Sequence, residues 1–251
     1  MNLLIIGCSN GVGLTHILRD VYRPNRTGGF HCVSKAPEDE LWQAEGDNYI
    51  NLSAGGFGNK YITGRLLEWI YINGKPDYVF LQYSGLNRLD VNLPKDTIIN
   101  YRFRKQTEYS NWIASGGING SWVGNPVTKH IFPHLYDTKN QTNLIIQNLL
   151  EIQNALNYLD VNSIPYNWCT YYDYKNPPNS ETLNDGMLCK HTLDLYNSLN
   201  FKNKISTSIV NHIMETNTAW MEEDEVHWIY EGGIDWLESV HDQCKLVQIF
   251  S

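Results

Sequence analysis

The chain begins with a short apolar run that stops at a glycine-rich turn, and this feature constrains the fold most. Residues 3–6 read LLII, and residues 7–13 read GCSNGVG. An apolar run that ends at such a turn and continues with helical spacing is typical of a buried strand leading into a helix. Catalytic groups gather at the carboxyl ends of strands in open α/β sheets. Ser9 is therefore a candidate nucleophile, and we expect Cys8, at the end of the strand, to be a packed thiol.

The rest of the chain alternates between strand-like and helix-like segments. The apolar patterns predict strands over residues 2–8, 49–52, 77–83 and 164–172. They predict helices over residues 12–21, 59–72, 142–159 and 233–246. Residues 23–47 are interpreted as loop, with one short strand candidate at residues 31–34. Strands separated by helices favour an α/β fold with a mostly parallel sheet covered on both faces.

The length and the composition limit the domain organisation. The 251 residues, of which 42% are hydrophobic, fit one domain over residues 1–251. Residues 100–137 interrupt the alternation with many aromatic, glycine and asparagine residues. We interpret them as an insertion over the active edge of the sheet, and we see no internal repeat.

Charge and cysteine usage disfavour several classes of protein. A net charge of −8 argues against nucleic acid or an anionic membrane as the main partner. The five cysteines form no C-x-x-C pair, which favours reduced thiols over a zinc ribbon or a redox motif. The first residues lack a charged leader and a cleavage site, and no run is long enough for a membrane helix. We expect a soluble protein made in a cytoplasm, with association with a virion as an open alternative.

Four short segments carry the residues that acyl transfer needs. They are residues 7–10 (GCSN), residues 51–59 (NLSAGGFGN), residues 84–88 (SGLNR) and residues 224–227 (DEVH). The first three follow predicted strands, so they emerge at the same edge of a parallel sheet. A serine hydroxyl needs a neighbouring histidine to take its proton, and that histidine needs an acceptor at its other nitrogen.

The fourth segment supplies the base and its orienting group. Asp224 and His227 are three residues apart on a predicted turn and can form a direct hydrogen bond. The developing oxyanion needs preorganised donors. The backbone N–H groups of Ser9 and Gly56 and the side-chain amide of Asn87 could provide them, since a glycine at position 56 lets the backbone approach a substrate closely.

This ordered set of segments resembles the SGNH hydrolases, also called the GDSL esterase family. The first block of that family is G-D-S after the first strand, and the second is an N-x-x-x-x-G turn, matched by Asn51 and Gly56. The third is G-x-N, matched by Gly85 and Asn87. The last is D-x-x-H before a glycine-containing helix start, matched by the residues Asp224, His227 and Gly232.

The resemblance implies a fold, a mechanism and a site. The fold would be a flavodoxin-like three-layer α/β/α sandwich. Ser9 would be the nucleophile, His227 the general base and then acid, and Asp224 its orienting residue. The oxyanion hole would consist of the N–H groups of Ser9 and Gly56 and the amide of Asn87.

The chain departs from the family pattern at three places. Cys8 stands where the family has an aspartate, and Arg88 follows Asn87 where an aspartate is usual. The stretch between the third and the last block, with residues 100–137 inside it, is longer than the family core needs. That stretch leaves the access route and the substrate open.

Each residue of this set also has a purely structural interpretation. Ser9 could be a turn residue, or its loop could bind a phosphate, although the third glycine of a dinucleotide motif and the lysine of a P-loop are missing. Asp224 could belong to a solvated acidic face, and His227 could be a packed histidine. Asn87 could cap a following helix, since asparagine is a good N-cap. Gly56 could mark a tight turn, which is compatible with an oxyanion role.

Other candidate sites are weaker. His130 and His134 have a metal-ligand spacing on a helix, but Pro133 between them spoils that geometry. We therefore expect neither a metal nor an organic cofactor. The aromatic residues of the insertion, Trp112 and Trp122, are packing residues or platforms that stack on sugar rings.

We expect a serine esterase that removes an acyl group, such as acetyl, from a carbohydrate. Its partner would be a small-molecule or glycan ester, and the oligomeric state stays undetermined by the sequence. One alternative is an acyltransferase that uses the same triad. Another is a catalytically silent glycan-binding or virion structural protein on this scaffold.

Overall fold

The protein folds around a six-stranded sheet whose central strands are parallel. A computed structural model describes residues 1–8, 17, 31–35, 40–44, 47–97, 104–114, 138–176, 188, 190–199, 201–216 and 230–245. The strands in these ranges are β1 (Asn2–Gly7), β2 (His31–Lys35), β3 (Glu40–Ala44), β4 (Asp47–Asn51), β5 (Tyr78–Tyr83), β6 (Asp90–Pro94), β7 (Arg104–Gln106), β8 (Ser110–Ala114) and β9 (Tyr166–Thr170). The helices are α1 (Asn59–Asn73), α2 (Thr138–Val161), α3 (Lys190–Ser198), α4 (Ile209–Thr216) and α5 (Tyr230–Ser239).

The central strands confirm the predicted α/β fold. The parallel strands lie in the order β4-β1-β5-β9, which is the flavodoxin-like order of second, first, third and fourth strand along the chain. Leu3, Leu4, Ile5 and Ile6 of β1 are all 0% exposed. A run of consecutive apolar residues is needed here because both faces of a central parallel strand are covered.

Helices cover the two faces of the sheet. Tyr166 and Asn167 are neighbours in β9, so their side chains point to opposite faces. The hydroxyl of Tyr166 donates to Oδ1 of Asp160 in α2 at 3.1 Å. Oδ1 of Asn167 accepts a hydrogen bond at 3.0 Å from the backbone N–H of Lys245, which follows α5. The sheet is therefore the middle layer of an α/β/α sandwich.

The loop predicted over residues 23–47 is wrong in part, because β2 and β3 lie within it. The strand candidate at residues 31–34 is confirmed as β2. Strand β2 pairs antiparallel with β3, and β3 pairs antiparallel with β4, so the two strands extend the sheet at one edge. The polar backbone groups on the outer side of β4 need partners, and β3 supplies them.

The C-terminal helix, predicted over residues 233–246, ends earlier than expected, at Ser239. The backbone N–H groups of Gln243 and Cys244 donate to the carbonyl of Val240 at 2.9 Å, which forms a turn. The turn buries Cys244 completely and lets the carbonyl of Gln243 accept from Nδ2 of Asn167 at 3.2 Å. The helix predicted over residues 12–21 lies outside the described residues, apart from position 17.

A small antiparallel sheet in the order β6-β8-β7 includes residues 104–114 of the predicted insertion. It begins before the insertion, at Asp90. The Trp112 ring of β8 packs against α1 so closely that a Cβ on Gly64 would lie 2.5 Å from it. Residues 100–103 and 115–137 of the insertion lie outside the described residues, so its place over the active edge stays a prediction. Within the described ranges, no helix is long and apolar enough to cross a lipid bilayer.

Candidate active site

The ends of β1, β4 and β5 come together at the carboxyl edge of the sheet. The backbone N–H of Leu52 donates to the carbonyl of Ile5 at 2.8 Å, and that of Ala54 donates to the carbonyl of Gly7 at 3.1 Å. The second segment therefore runs beside the end of β1. The predicted residues Ser9, Asp224, His227 and Trp122 lie outside the described residues, and their assigned roles stay predictions.

Cys8 is a packed thiol, as the sequence predicts. Its side chain is 0% exposed, and its Sγ lies 3.6 Å from Oε1 of Gln82 in β5, to which the S–H donates. Gly7 has no room for a side chain, because a Cβ there would lie 2.9 Å from Cβ of Gln82. The residue before Ser9 is thus packed against Gln82 of β5.

Gly56 lies at a turn that requires a glycine. Its φ is +82°, a value that L-residues rarely adopt and that fits the third position of a type II turn. Asn51, at the end of β4, accepts the N–H of Ser53 on its Oδ1 at 2.9 Å, and the Tyr61 hydroxyl donates to the carbonyl of Leu52 at 2.9 Å. The Gly56 N–H donates to no acceptor within the described part of the chain.

Asn87 lies in the loop after β5 and is 6% exposed. Its side chain folds over Gly85, where a Cβ would lie 3.0 Å from Oδ1 of Asn87. The Asn87 amide has no hydrogen-bond partner among the residues the structure describes. The interpretation of Asn87 as the cap of a following helix is wrong, because β6 follows it.

Three polar side chains that the sequence analysis missed fix the loop that carries Asn87. Asn59, the first residue of α1, accepts the N–H of Ser84 on its Oδ1 at 2.8 Å. The hydroxyl of Tyr174 donates to the carbonyl of Ser84 at 2.5 Å. Nδ2 of Asn148 in α2 donates to the backbone carbonyls of Leu86 and Arg88, both at 3.0 Å. The peptide groups on both sides of Asn87 are therefore held from three directions.

A fourth missed residue, Asp90, holds the loop that carries Gly56. Its Oδ1 and Oδ2 accept the N–H of Gly58 at 2.8 and 3.0 Å, and Oδ2 also accepts the N–H of Tyr61 at 2.9 Å. Asp90 is 1% exposed. Burial raises the pKa of this carboxyl to about 6, although the two backbone N–H groups and the cations Arg88 and Lys60 act in the opposite direction.

The raised pKa of Asp90 predicts how stability depends on pH. The pKa is 3.8 when the carboxyl is unperturbed and about 6 in the folded protein. The folded state therefore binds this proton more tightly, and the resulting stabilisation is complete below about pH 4 and is lost as the pH rises through 6. Between pH 4.5 and 7.5, the free energy of unfolding of the wild type should fall by about 2 kcal/mol relative to Asp90→Asn. Urea unfolding of both proteins measures this difference, and a difference that is flat or rises with pH contradicts the assignment.

The two helices that flank the segment with Asp224 and His227 are in contact with each other. The segment 217–229 connects α4 to α5. Nε2 of His212 in α4 lies 2.6 Å from Oδ2 of Asp235 in α5. Gly232 lies in the first turn of α5.

Trp112 is a packing residue at the wall of an open groove. It is 3% exposed, and its ring forms an edge-to-face pair with Tyr61 at 5.6 Å. The groove has a volume of about 650 Å³ and is lined by Trp112, Glu68, Tyr71 and Tyr109 together with other residues of α1, α2 and the small sheet. Tyr71 and Tyr109 are 82% and 54% exposed, with ring centres 6.1 Å apart. The role of Trp112 in substrate binding stays a prediction.

Within the described ranges, no three His, Cys, Asp or Glu side chains are grouped so that they could hold a metal ion. His130 and His134 lie outside those ranges.

No protein-family model and no curated protein matches the chain. Among solved structures, it is similar to the psychrotrophic esterase EstA from Pseudoalteromonas sp., with 12% identity, 96% of this chain and 97% of that chain covered, and a TM-score of 0.43. It is also similar to a catalytic mutant of Axe2, an acetylxylan esterase from Geobacillus stearothermophilus, with 14% identity, 96% and 93% covered, and a TM-score of 0.44. Both TM-scores are below 0.5, so the fold is assigned from the strand order of the chain itself.

Proposed function

We propose that the protein is a serine esterase of the SGNH type that hydrolyses an acyl ester, with acetyl as the acyl group. The observation that carries the proposal is the pair of donors at the carboxyl edge. The N–H of Gly56 and the amide of Asn87 have no acceptor in the described part of the chain, yet the loops that carry them are fixed by buried hydrogen bonds. Unused donors on rigid loops are what an oxyanion site requires.

The proposed reaction passes through an acyl-enzyme. Oγ of Ser9 attacks the ester carbonyl while His227 takes its proton, and Asp224 orients the imidazole and stabilises its charged form. The N–H groups of Ser9 and Gly56 and the amide of Asn87 donate to the oxyanion. His227 then protonates the leaving alcohol and activates the water that hydrolyses the acyl-enzyme.

Two measurements on the wild type test this proposal. The protein should hydrolyse p-nitrophenyl acetate faster than esters of longer acids, and a fluorophosphonate probe should label the peptide that contains Ser9, as identified by mass spectrometry. Transfer of the acetyl group to an added sugar in preference to water would indicate an acyltransferase. A protein that is neither labelled nor active, but binds glycans, would be a binding or virion structural protein, and the proposal would fail.

We further propose that the ester is on a carbohydrate, and the exposed tyrosines of the groove support this. Aromatic faces can stack on sugar rings, and Tyr71 and Tyr109 present two such faces beside the polar side chain of Asn92. Twelve residues of α1 separate its start at the carboxyl edge from Tyr71, which corresponds to about 18 Å. The groove would therefore bind sugar units of a polymer at a distance from the ester.

A double variant separates polymer binding from chemistry. Tyr71→Ala with Tyr109→Ala should raise KM for an acetylated polysaccharide roughly fivefold, because stacking contributes about 1 kcal/mol. Hydrolysis of p-nitrophenyl acetate should not change. The matched control is the double Tyr→Phe variant, which keeps both rings and should behave like the wild type on both substrates. An unchanged KM for the polymer, or a high activity on long-chain lipid esters alone, would contradict the proposed substrate.

A further inference from the structure

The N-terminus of α1 is capped by a side chain from another segment of the chain. The cap position is Gly58, which has no side chain to accept hydrogen bonds from the first turn. The carboxylate of Asp90 supplies the acceptor from β6 and binds the N–H groups of Gly58 and Tyr61. Helix caps are normally local, so this cap also ties two distant segments together.

The same contact fixes the peptide groups that follow Gly56. Nη1 of Arg88 donates to the carbonyl of Phe57 at 3.0 Å, next to the N–H of Gly58 that Asp90 accepts. The two segments are in tight contact, because a Cβ on Gly58 would lie 2.7 Å from Cβ of Arg88 and 3.1 Å from Oδ2 of Asp90. The turn at Gly56 therefore cannot shift without breaking these bonds.

The contacts of Arg88 and Asp90 with the Gly56 loop connect the two donors of the proposed oxyanion site. Asn87 belongs to the same short segment as Arg88 and Asp90, and its neighbouring carbonyls are held by Asn148. The segment that carries one donor thus binds the loop that carries the other. The distance between the Gly56 N–H and the Asn87 amide depends on this contact.

We propose that Asp90 is a positioning residue of the oxyanion site, which acts by fixing the Gly56 turn against the Asn87 segment through Gly58. The proposal rests on the proposed esterase function. Donors aimed at a developing charge stabilise the transition state more than the ground state. Loss of Asp90 should therefore lower kcat and leave KM almost unchanged.

The test compares an ester with its thionoester on the full-length protein. A thiocarbonyl sulfur is a weaker hydrogen-bond acceptor than a carbonyl oxygen, so damage to an oxyanion site slows the oxygen ester more. Asp90→Ala should lower kcat for p-nitrophenyl acetate about tenfold and reduce the ratio of oxygen-ester to thionoester rates by a similar factor. Asp90→Asn, which keeps one acceptor oxygen, should give an intermediate ratio. Arg88→Met leaves the helix cap intact and should reduce the ratio by a smaller factor. This variant replaces the Asp90 variants as the test if they do not fold.

A core variant separates positioning from stability. Ile152 of α2 is 1% exposed and lies outside the proposed site. Ile152→Ala should lower the melting temperature but leave the ratio of the two rates at the wild-type value. If Asp90→Ala lowers only the melting temperature, the positioning role of Asp90 is overturned. If the Asp90 variants do not fold and Arg88→Met keeps the wild-type ratio, that role is overturned as well. In both cases the proposed esterase function is unaffected. If the wild type hydrolyses neither ester, the esterase proposal fails, and the role of Asp90 fails with it.

Discussion

Replacing Ser9 by alanine is expected to lower kcat/KM for p-nitrophenyl acetate by a factor of about 10⁴ or more. The variant cannot form the acyl-enzyme, and the remaining donors can only assist direct attack by water. Fluorophosphonate labelling should disappear as well. Steady-state kinetics and intact-protein mass spectrometry measure the two effects on the same samples.

The neighbouring thiol provides the matched control. Cys8 is completely buried and donates to Gln82, so Cys8→Ala should cost about 1 kcal/mol of stability and change kcat/KM less than threefold. If Cys8→Ala removes the activity and Ser9→Ala keeps it, the nucleophile is the thiol. If both variants keep the wild-type rate, the hydrolysis does not use this turn.

Strands β1 and β5 could be predicted because each carries a run of four consecutive buried apolar or aromatic residues. Both strands are covered on both faces, so burial selects the same kind of residue at neighbouring positions. The parallel arrangement followed from the helices between the strands, and α1 and α2 were expected at nearly their observed bounds.

The antiparallel strands could not be predicted in the same way. After the buried Asp90, strand β6 alternates between half-buried and exposed residues, contains Pro94 and follows a turn, which is also typical of a loop. Strands β2 and β3 have five residues each and mix polar with apolar residues, so no clear pattern marks them, and they extend the sheet at the edge of β4.

The sequence indicates candidate residues where a loop follows a strand. Gly56 and Asn87 are candidates because a glycine turn or a G-x-N segment at a strand end has a chemical use there, and their roles stay predictions. Asp90 could not be predicted because a single carboxylate outside a recognised motif gives no periodic signal. Asn148 carries a signal in the sequence, since it is a polar residue on the otherwise apolar buried face of α2.

Replacing Asn87 by alanine is expected to lower kcat by a factor of about 10² to 10³, which corresponds to about 3–4 kcal/mol of transition-state stabilisation. The amide has no other hydrogen-bond partner in the described ranges, so its removal breaks no bond of the free protein there. KM and the melting temperature should therefore change little. Asn154→Ala removes an exposed amide from α2, outside the proposed site and the groove, and should leave kcat at the wild-type value.

A second substitution at the same position separates donor loss from packing loss. Asn87→Asp has almost the same shape, but it replaces the donor with a negative charge directed at the developing oxyanion. It should lower kcat at pH 8 at least as much as Asn87→Ala does, because like charges repel strongly where water is excluded. An aspartate variant that keeps more than a tenth of the wild-type kcat would mean that the shape of the side chain is what matters. The N–H of Gly56 would then have to stabilise the oxyanion without the Asn87 amide. The contact of the Asn87 side chain with Gly85 would contribute only packing.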